Sequence, residues 1–274
     1  MNNFTKRALT ALVFVIVLIG SIIFNHISFS LLFLFFTITG LWEFYSIALL
    51  GDDKPQKQVG ILLGTSVFIV FTLLSMDILN ASVLVAFLPL FYLIFVIELY
   101  RKITNPFRNI AFTILGIVYI SVPFGLLNFI STNTLSGEYE PRILIGILLI
   151  LWASDTGAYL VGSRIGKRKL FERISPNKSW EGSIGGALLS FVGAFVVTQF
   201  LYKLPQGNWF VIALIIAVIG TLGDLVESLY KRSKNIKDSG SIFPGHGGIL
   251  DRFDSLLLAS PFIYAYLVWA TNFN

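Results

Sequence analysis

The chain contains no cysteine, which removes a disulfide framework, Cys-ligated zinc and thiol catalysis from consideration. Charge is scarce too: only 13% of its 274 residues are Asp, Glu, Lys or Arg, where soluble domains carry roughly a quarter. Histidine occurs only at His26 and His246, and HExxH is absent. No internal repeat is evident, which argues against a transporter built from inverted halves. What abounds is apolar: 55% of residues are hydrophobic and the mean hydropathy is +0.81. A soluble fold could not cover so much apolar surface with polar side chains, so the solvent for most of the chain is lipid.

The first stretch, "MNNFTKRALTALVFVIVLIGSIIFN", has the basic start of a signal peptide but no small-x-small cleavage site, and its apolar run is too long. It is expected to be a retained first span. Apolar runs at 8–24, 28–50, 59–79, 81–98, 109–130, 143–162, 182–202, 209–230 and 249–270 follow one another along the chain. Each is close to the ~20 residues that a helix needs to cross the hydrocarbon, and their continuity excludes alternating barrel strands. The expected fold is therefore an all-α integral membrane protein with about nine transmembrane helices. With the N-terminus cytoplasmic and the C-terminus outside, all but Arg142, Lys203 and Arg252 of the 20 basic residues fall in cytoplasmic segments. That asymmetry accounts for the net charge of +5 without any nucleic-acid partner.

Two regions differ in character. Residues 1–142 are membrane helices with short loops (spans one to five). Residues 143–274 carry two long cytoplasmic loops, 163–181 and 231–248, and carboxylates inside or at the ends of spans. The chemistry is expected in this second region. A charged side chain at mid-bilayer costs at least ~2.5–3.5 kcal/mol, so one that is kept has a partner or a task. Asp224 and Glu227 in "GDLVES" and Asp251 and Asp254 in "DRFD" are pairs spaced to share one helix face. They flank the 231–248 loop and could converge in one shallow site. Hard oxygen ligands of this kind suit Mg²⁺, which takes one or two carboxylates plus substrate phosphates. The plainer alternative is that these acids pair with Lys231, Arg232 and Arg252. Asp155 in "WASDTGAY" sits among small residues that permit close helix approach, and is either a helix–helix polar contact or part of the site.

The 231–248 loop, "KRSKNIKDSGSIFPGHGG", reads as an anion cradle: Gly245, Gly247 and Gly248 would bring backbone N–H groups near an oxyanion. Lys231, Arg232, Lys234 and Lys237 add positive charge, and a following helix N-terminus adds its dipole. A flexible basic loop on anionic lipid headgroups is the alternative. In the other loop, Gly162 to Lys167 is one residue short of a P-loop and lacks its Ser/Thr, so a Walker A site is rejected. "SPNKSWEG" offers Ser175, Asn177, Lys178 and Ser179 as donors to phosphate, ribose or base, or is a simple juxtamembrane turn. Glu43 and Glu98 lie near span ends, where snorkelling or pairing explains them. His246 suits a phosphate hydrogen bond better than a metal.

These residues together resemble the phosphatidate cytidylyltransferases (CDP-diacylglycerol synthases). The family signature runs Ser-x-apolar-Lys-Arg, four residues, Lys-Asp, then Pro-x-His-Gly-Gly and Asp-Arg-x-Asp. Here it stands nearly complete as "SLYKRSKNIKDSGSIFPGHGGILDRFD", Ser228 to Asp254, departing only at Tyr230. "SDTGAYLVGSRIGKRKL" and "SPNKSWEGSIGG" also look like the family's preceding segments; residues 1–142 share only apolar spans. The resemblance implies a reaction of CTP with phosphatidic acid to give CDP-diacylglycerol and pyrophosphate, with Mg²⁺ and in some members a monovalent cation such as K⁺. It also implies a homodimer. The charge asymmetry puts the expected site at the cytoplasmic face of the cell membrane. By motif position Asp224, Asp251 and Asp254, with Glu227 beside them, are the expected metal carboxylates. Lys231, Arg232 and Lys237 would hold phosphates. Asn177, Lys178, Ser179, Ser228, Asp238, Gly245, His246, Gly247, Gly248 and Arg252 would contact substrate. The rival functions are a CTP-dependent polyprenol kinase and a cation-coupled transporter.

Overall fold

Almost every residue described in the computed structural model (3–132, 138–201, 204–242 and 247–272) lies in a helix. In chain order these are α1 (Asn3–Phe24), α2 (His26–Ala48), α3 (Lys57–Ser75), α4 (Val83–Arg101) and α5 (Pro106–Ile130). Then come α6 (Pro141–Ile165), α7 (Trp180–Phe200), α8 (Gln206–Ser233) and α9 (Leu250–Asn272). Eight are long and apolar enough to cross a membrane, and α1 adds the shorter apolar stretch Ala8–Phe24. The protein is thus an all-α multi-pass membrane protein, and each apolar run of the sequence sits on its own helix. Between α3 and α4 the segment "MDILNAS" breaks the helices, and Asp77 turns the chain there at φ 55. Between the helices run short loops, and the first long loop holds an antiparallel pair of strands, β1 (Lys169–Phe171) and β2 (Ser175–Ser179).

The helix ends follow from local chemistry. Asn25 caps α2, its Oδ1 accepting from Ser28 N at 2.7 Å. Pro106 and Pro141 open α5 and α6, where the missing N–H costs nothing. Helix α4 is apolar on every side and buries only Ile94 and Glu98, as suits a helix with a broad lipid-facing surface.

The chain groups into two compact units, residues 1–129 with 234–252, and 130–233 with 253–274. The first is built on aromatic packing: Phe33 meets Phe124 edge-on at 5.5 Å, and Phe29, Phe44 and Tyr45 are fully buried. The Tyr45 ring lies against Gly60 and Gly116, where any Cβ would strike it. Its hydroxyl donates to the Thr113 carbonyl at 2.6 Å. That carbonyl is the α-helical acceptor for Ile117 N–H, which bonds to Ile114 O instead, and α5 widens into a π turn over Ile117–Ser121. In the second unit α6 and α7 pack backbone to backbone: a Cβ on Gly157 would meet the Gly185 carbonyl, and one on Gly186 the Ser154 carbonyl. In lipid no hydrophobic effect draws helices together, so close packing through small residues does that work.

Candidate active site

Helix α8 passes through a second π turn, Ile216–Gly220, and then carries Asp224, Glu227, Ser228 and Lys231 at helical spacing. Along that face Glu227 Oε2 and Lys231 Nζ are 2.7 Å apart, both buried. Ser228 Oγ donates to Asp224 Oδ1 at 3.3 Å. The other Asp224 oxygen forms an ion pair with Lys178 of β2. Arg232 Nε donates to the Ile174 carbonyl at 3.4 Å, so both basic residues of the motif's start are engaged by neighbours in their own unit. Helix α9 comes close enough at Gly223 that a Cβ there would lie 2.7 Å from the Asp254 carbonyl. Asp254 consequently feels the carboxylates of Asp224, Glu227 and Asp155, from α8 and α6. Asp155 of α6 is exposed.

The loop after α8 is organised within the other unit. Asp251, in the first turn of α9, has its Oδ2 taken by three donors: Ser239 N at 2.9 Å, Ser239 Oγ at 2.9 Å and Gly248 N at 2.8 Å. Gly247 adopts φ 79, the left-handed region, and a Cβ there would also run into the Asp251 carboxylate. The Gly248 N–H expected to face an anion thus serves Asp251. Lys237, Asp238 and Arg252 are exposed, as is Asn177 on β2. Ser179 is buried, and its Oγ accepts from Gly182 N at 3.1 Å as the N-cap of α7, so it organises a helix start. Gly245 and His246 lie outside the described residues.

Two carboxylates that sequence reasoning set aside turn out to be structural anchors. Glu43 of α2 is buried, not snorkelling: its carboxylate accepts from Ile249 N at 3.0 Å and Leu250 N at 3.1 Å, and lies 3.0 Å from Ser239 Oγ, whose one proton it shares with Asp251. Glu98 is paired as expected, with Arg101 at 2.8 Å, Gln56 at 2.7 Å and Asn109 at 2.9 Å, but it too is buried. Asp53, not singled out in the sequence, holds Lys234 at 2.6 Å and Arg108 at 2.8 Å.

For a divalent cation the donor type is apt, since Asp155, Asp224 and Glu227, which each act on Asp254, all offer hard carboxylate oxygens. Among the described residues no group of three or more His, Asp or Glu side chains is placed to hold a metal ion by itself. An ion like Mg²⁺, which takes one or two carboxylates and fills its shell with water and phosphate, does not require one.

The model of the Cytidylyltransferase family matches residues 5–270. The phosphatidate cytidylyltransferase of Bacillus subtilis (strain 168) is 34% identical over 272 residues, covering 97% of this chain and 98% of that protein. Those of Staphylococcus haemolyticus (strain JCSC1435) and Staphylococcus aureus (strain COL) are 39% and 40% identical over 163 and 164 residues, covering 59% of this chain and 60% of each relative.

Proposed function

Because the chain belongs to the cytidylyltransferase family, we propose that it transfers the cytidylyl group of CTP to phosphatidate. The products are CDP-diacylglycerol and pyrophosphate. An ionised phosphate oxygen of phosphatidate attacks the α-phosphorus of CTP. The bond from that phosphorus to the α,β-bridging oxygen breaks, and pyrophosphate departs with the electron pair. The attacking group is already anionic near neutral pH, so no strong base is needed. Catalysis reduces to alignment and charge neutralisation.

The observation that carries this reading is the close approach of α9 to α8 at Gly223, which brings Asp254 under the influence of Asp224 and Glu227 of α8 and of Asp155 of α6. Such a set is stable in use when a cation sits with it. Asp224 and Asp254, with Glu227, are the groups that would hold Mg²⁺, which when bound supplies positive charge to triphosphate oxygens, and Asp251 is a further metal carboxylate by its motif position. Lys178 of β2 stands beside Asp224, and Arg232 of α8 stands against the Ile174 carbonyl of the hairpin, so both can turn to phosphate. The exposed Asn177 and Lys237 are further donors to nucleotide. We place the site at the cytoplasmic face of the cell membrane on the distribution of basic residues, with diacyl chains staying in lipid, and expect a homodimer as the resemblance implies.

The test is transfer by purified protein with phosphatidate and CTP labelled at either phosphate. Label from α-³²P-CTP should enter the lipid, and pyrophosphate should be released. Incorporation of γ-label alone would establish a lipid kinase instead, and CTP left intact would defeat both enzyme readings.

A further inference from the structure

The loop that precedes α9 needs an anchor that its own sequence does not contain. A helix start exposes N–H groups that an Asn, Asp, Ser or Thr side chain just before it ordinarily satisfies. The residue before Leu250 is Ile249, which has no acceptor. The acceptor comes from α2: both Glu43 oxygens face the Ile249 and Leu250 N–H groups, at 3.0 and 3.1 Å, and place a negative charge at the positive end of α9. Gly240 and Gly248 leave room for it, since a Cβ on either would strike the Glu43 carboxylate. The Ser239 hydroxyl lies 3.0 Å from Glu43 Oε2 and 2.9 Å from Asp251 Oδ2, so this one group joins the α2 carboxylate to the proposed metal carboxylate.

From this geometry we propose that Glu43 is a positioning residue for the reaction. It fixes Ser239 and the first turn of α9, and so sets the direction of the Asp251 carboxylate. A carboxylate that merely stabilised the helix bundle would not need to meet the loop and the helix start together. The Ser239 contact is what turns a helix cap into an aiming device. Positioning groups behind metal carboxylates typically govern metal affinity or activity by about 10–100-fold.

This inference rests on the cytidylyl-transfer reading, and the experiment separates the two. Wild-type protein, Glu43→Gln and Ser239→Ala are compared for kcat, for the Mg²⁺ concentration giving half-maximal rate, and for amide hydrogen exchange over residues 239–250. Glu43→Gln should lower kcat and raise the Mg²⁺ requirement by about tenfold or more, with KM for CTP near wild type. Exchange at Ile249 and Leu250 should quicken without loss of the global melting transition. Ser239→Ala should show the same pattern more weakly, and it decides the matter if Glu43→Gln does not fold. Wild-type kcat and Mg²⁺ dependence in the folded variants, or unchanged exchange at the start of α9, would overturn the proposal. A wild-type protein without cytidylyl transfer would defeat the functional reading instead, while the exchange data would still report on the clamp.

Discussion

Lys178 of β2 is ion-paired with Asp224 of α8, and the two side chains are 25% and 33% exposed. A pair this open is worth little to the fold, about 0–1 kcal/mol. Its partners can therefore separate, the lysine toward a phosphate and the carboxylate toward a cation. The contact joins the hairpin of the first long loop to the helix that opens the 228–254 motif, both within one unit.

Asp224→Asn should accordingly remove catalysis and spare the structure. Activity should fall at least about a hundredfold, the scale of losing one charge-stabilising group, while the melting temperature in detergent stays near wild type. The check is steady-state turnover at saturating Mg²⁺ beside a thermal melt. Substantial turnover would exclude Asp224 as a metal carboxylate.

For Lys178 the expected effect is on nucleotide binding. Lys178→Ala should raise KM for CTP severalfold or more and leave KM for phosphatidate nearly unchanged. Lys178→Arg should recover part of the loss, since charge is restored but the guanidinium is a planar fork in place of a point charge. Equal effects on both substrates would place the side chain elsewhere in the mechanism.

Removing divalent cations with EDTA should abolish transfer, and added Mg²⁺ should restore it. The variant Asp254→Asn relieves the repulsion among Asp155, Asp224, Glu227 and Asp254. It should therefore need more Mg²⁺ for half-maximal rate even if it melts no lower than wild type. Transfer that continues undiminished after exhaustive chelation would remove the metal from the proposal.

Gly248→Ala tests the loop from its backbone. The added Cβ would collide with the Glu43 carboxylate. Overpacking of this kind costs about 1–3 kcal/mol. A lower melting temperature is expected together with lower activity. Wild-type stability would mean that the loop has room the structure does not show.

Spans were legible because lipid imposes one requirement on every residue of a crossing helix, and long apolar runs meet it visibly. The carboxylates Asp224 and Asp254 were legible for the converse reason: inside such runs a charge stands out. Glu43 stood out equally in "WEFY", but a span-end carboxylate also fits snorkelling, and nothing local reveals that its partners are Ile249 and Leu250. The hairpin β1–β2 was missed because its strands are short and polar, with no alternating apolar face. Ser179 resembled a phosphate donor because a helix cap and a ligand contact call for the same hydroxyl.

Asp53 offers the last test, one of stability alone. Its side chain is 1% exposed and meets two cations of unequal circumstance. Lys234 Nζ hydrogen-bonds Oδ2 at 2.6 Å, is 9% exposed and lies 5.4 Å from the Phe112 ring centroid. Arg108 is 60% exposed, and its Nε stands 2.8 Å from Oδ1 without hydrogen-bond alignment. If the carboxylate is lost, Arg108 can turn to water, whereas Lys234 is left buried and uncompensated. Breaking a buried pair in this way costs about 3–5 kcal/mol. Asp53→Asn should therefore lower the melting temperature by about ten degrees, while Arg108→Ala lowers it by little. Replacing both members, Asp53→Asn with Lys234→Met, should recover much of the loss, since the stranded charge is gone. Equal melting of Asp53→Asn and Arg108→Ala, or no recovery in the double variant, would show that Lys234 has another way to be satisfied.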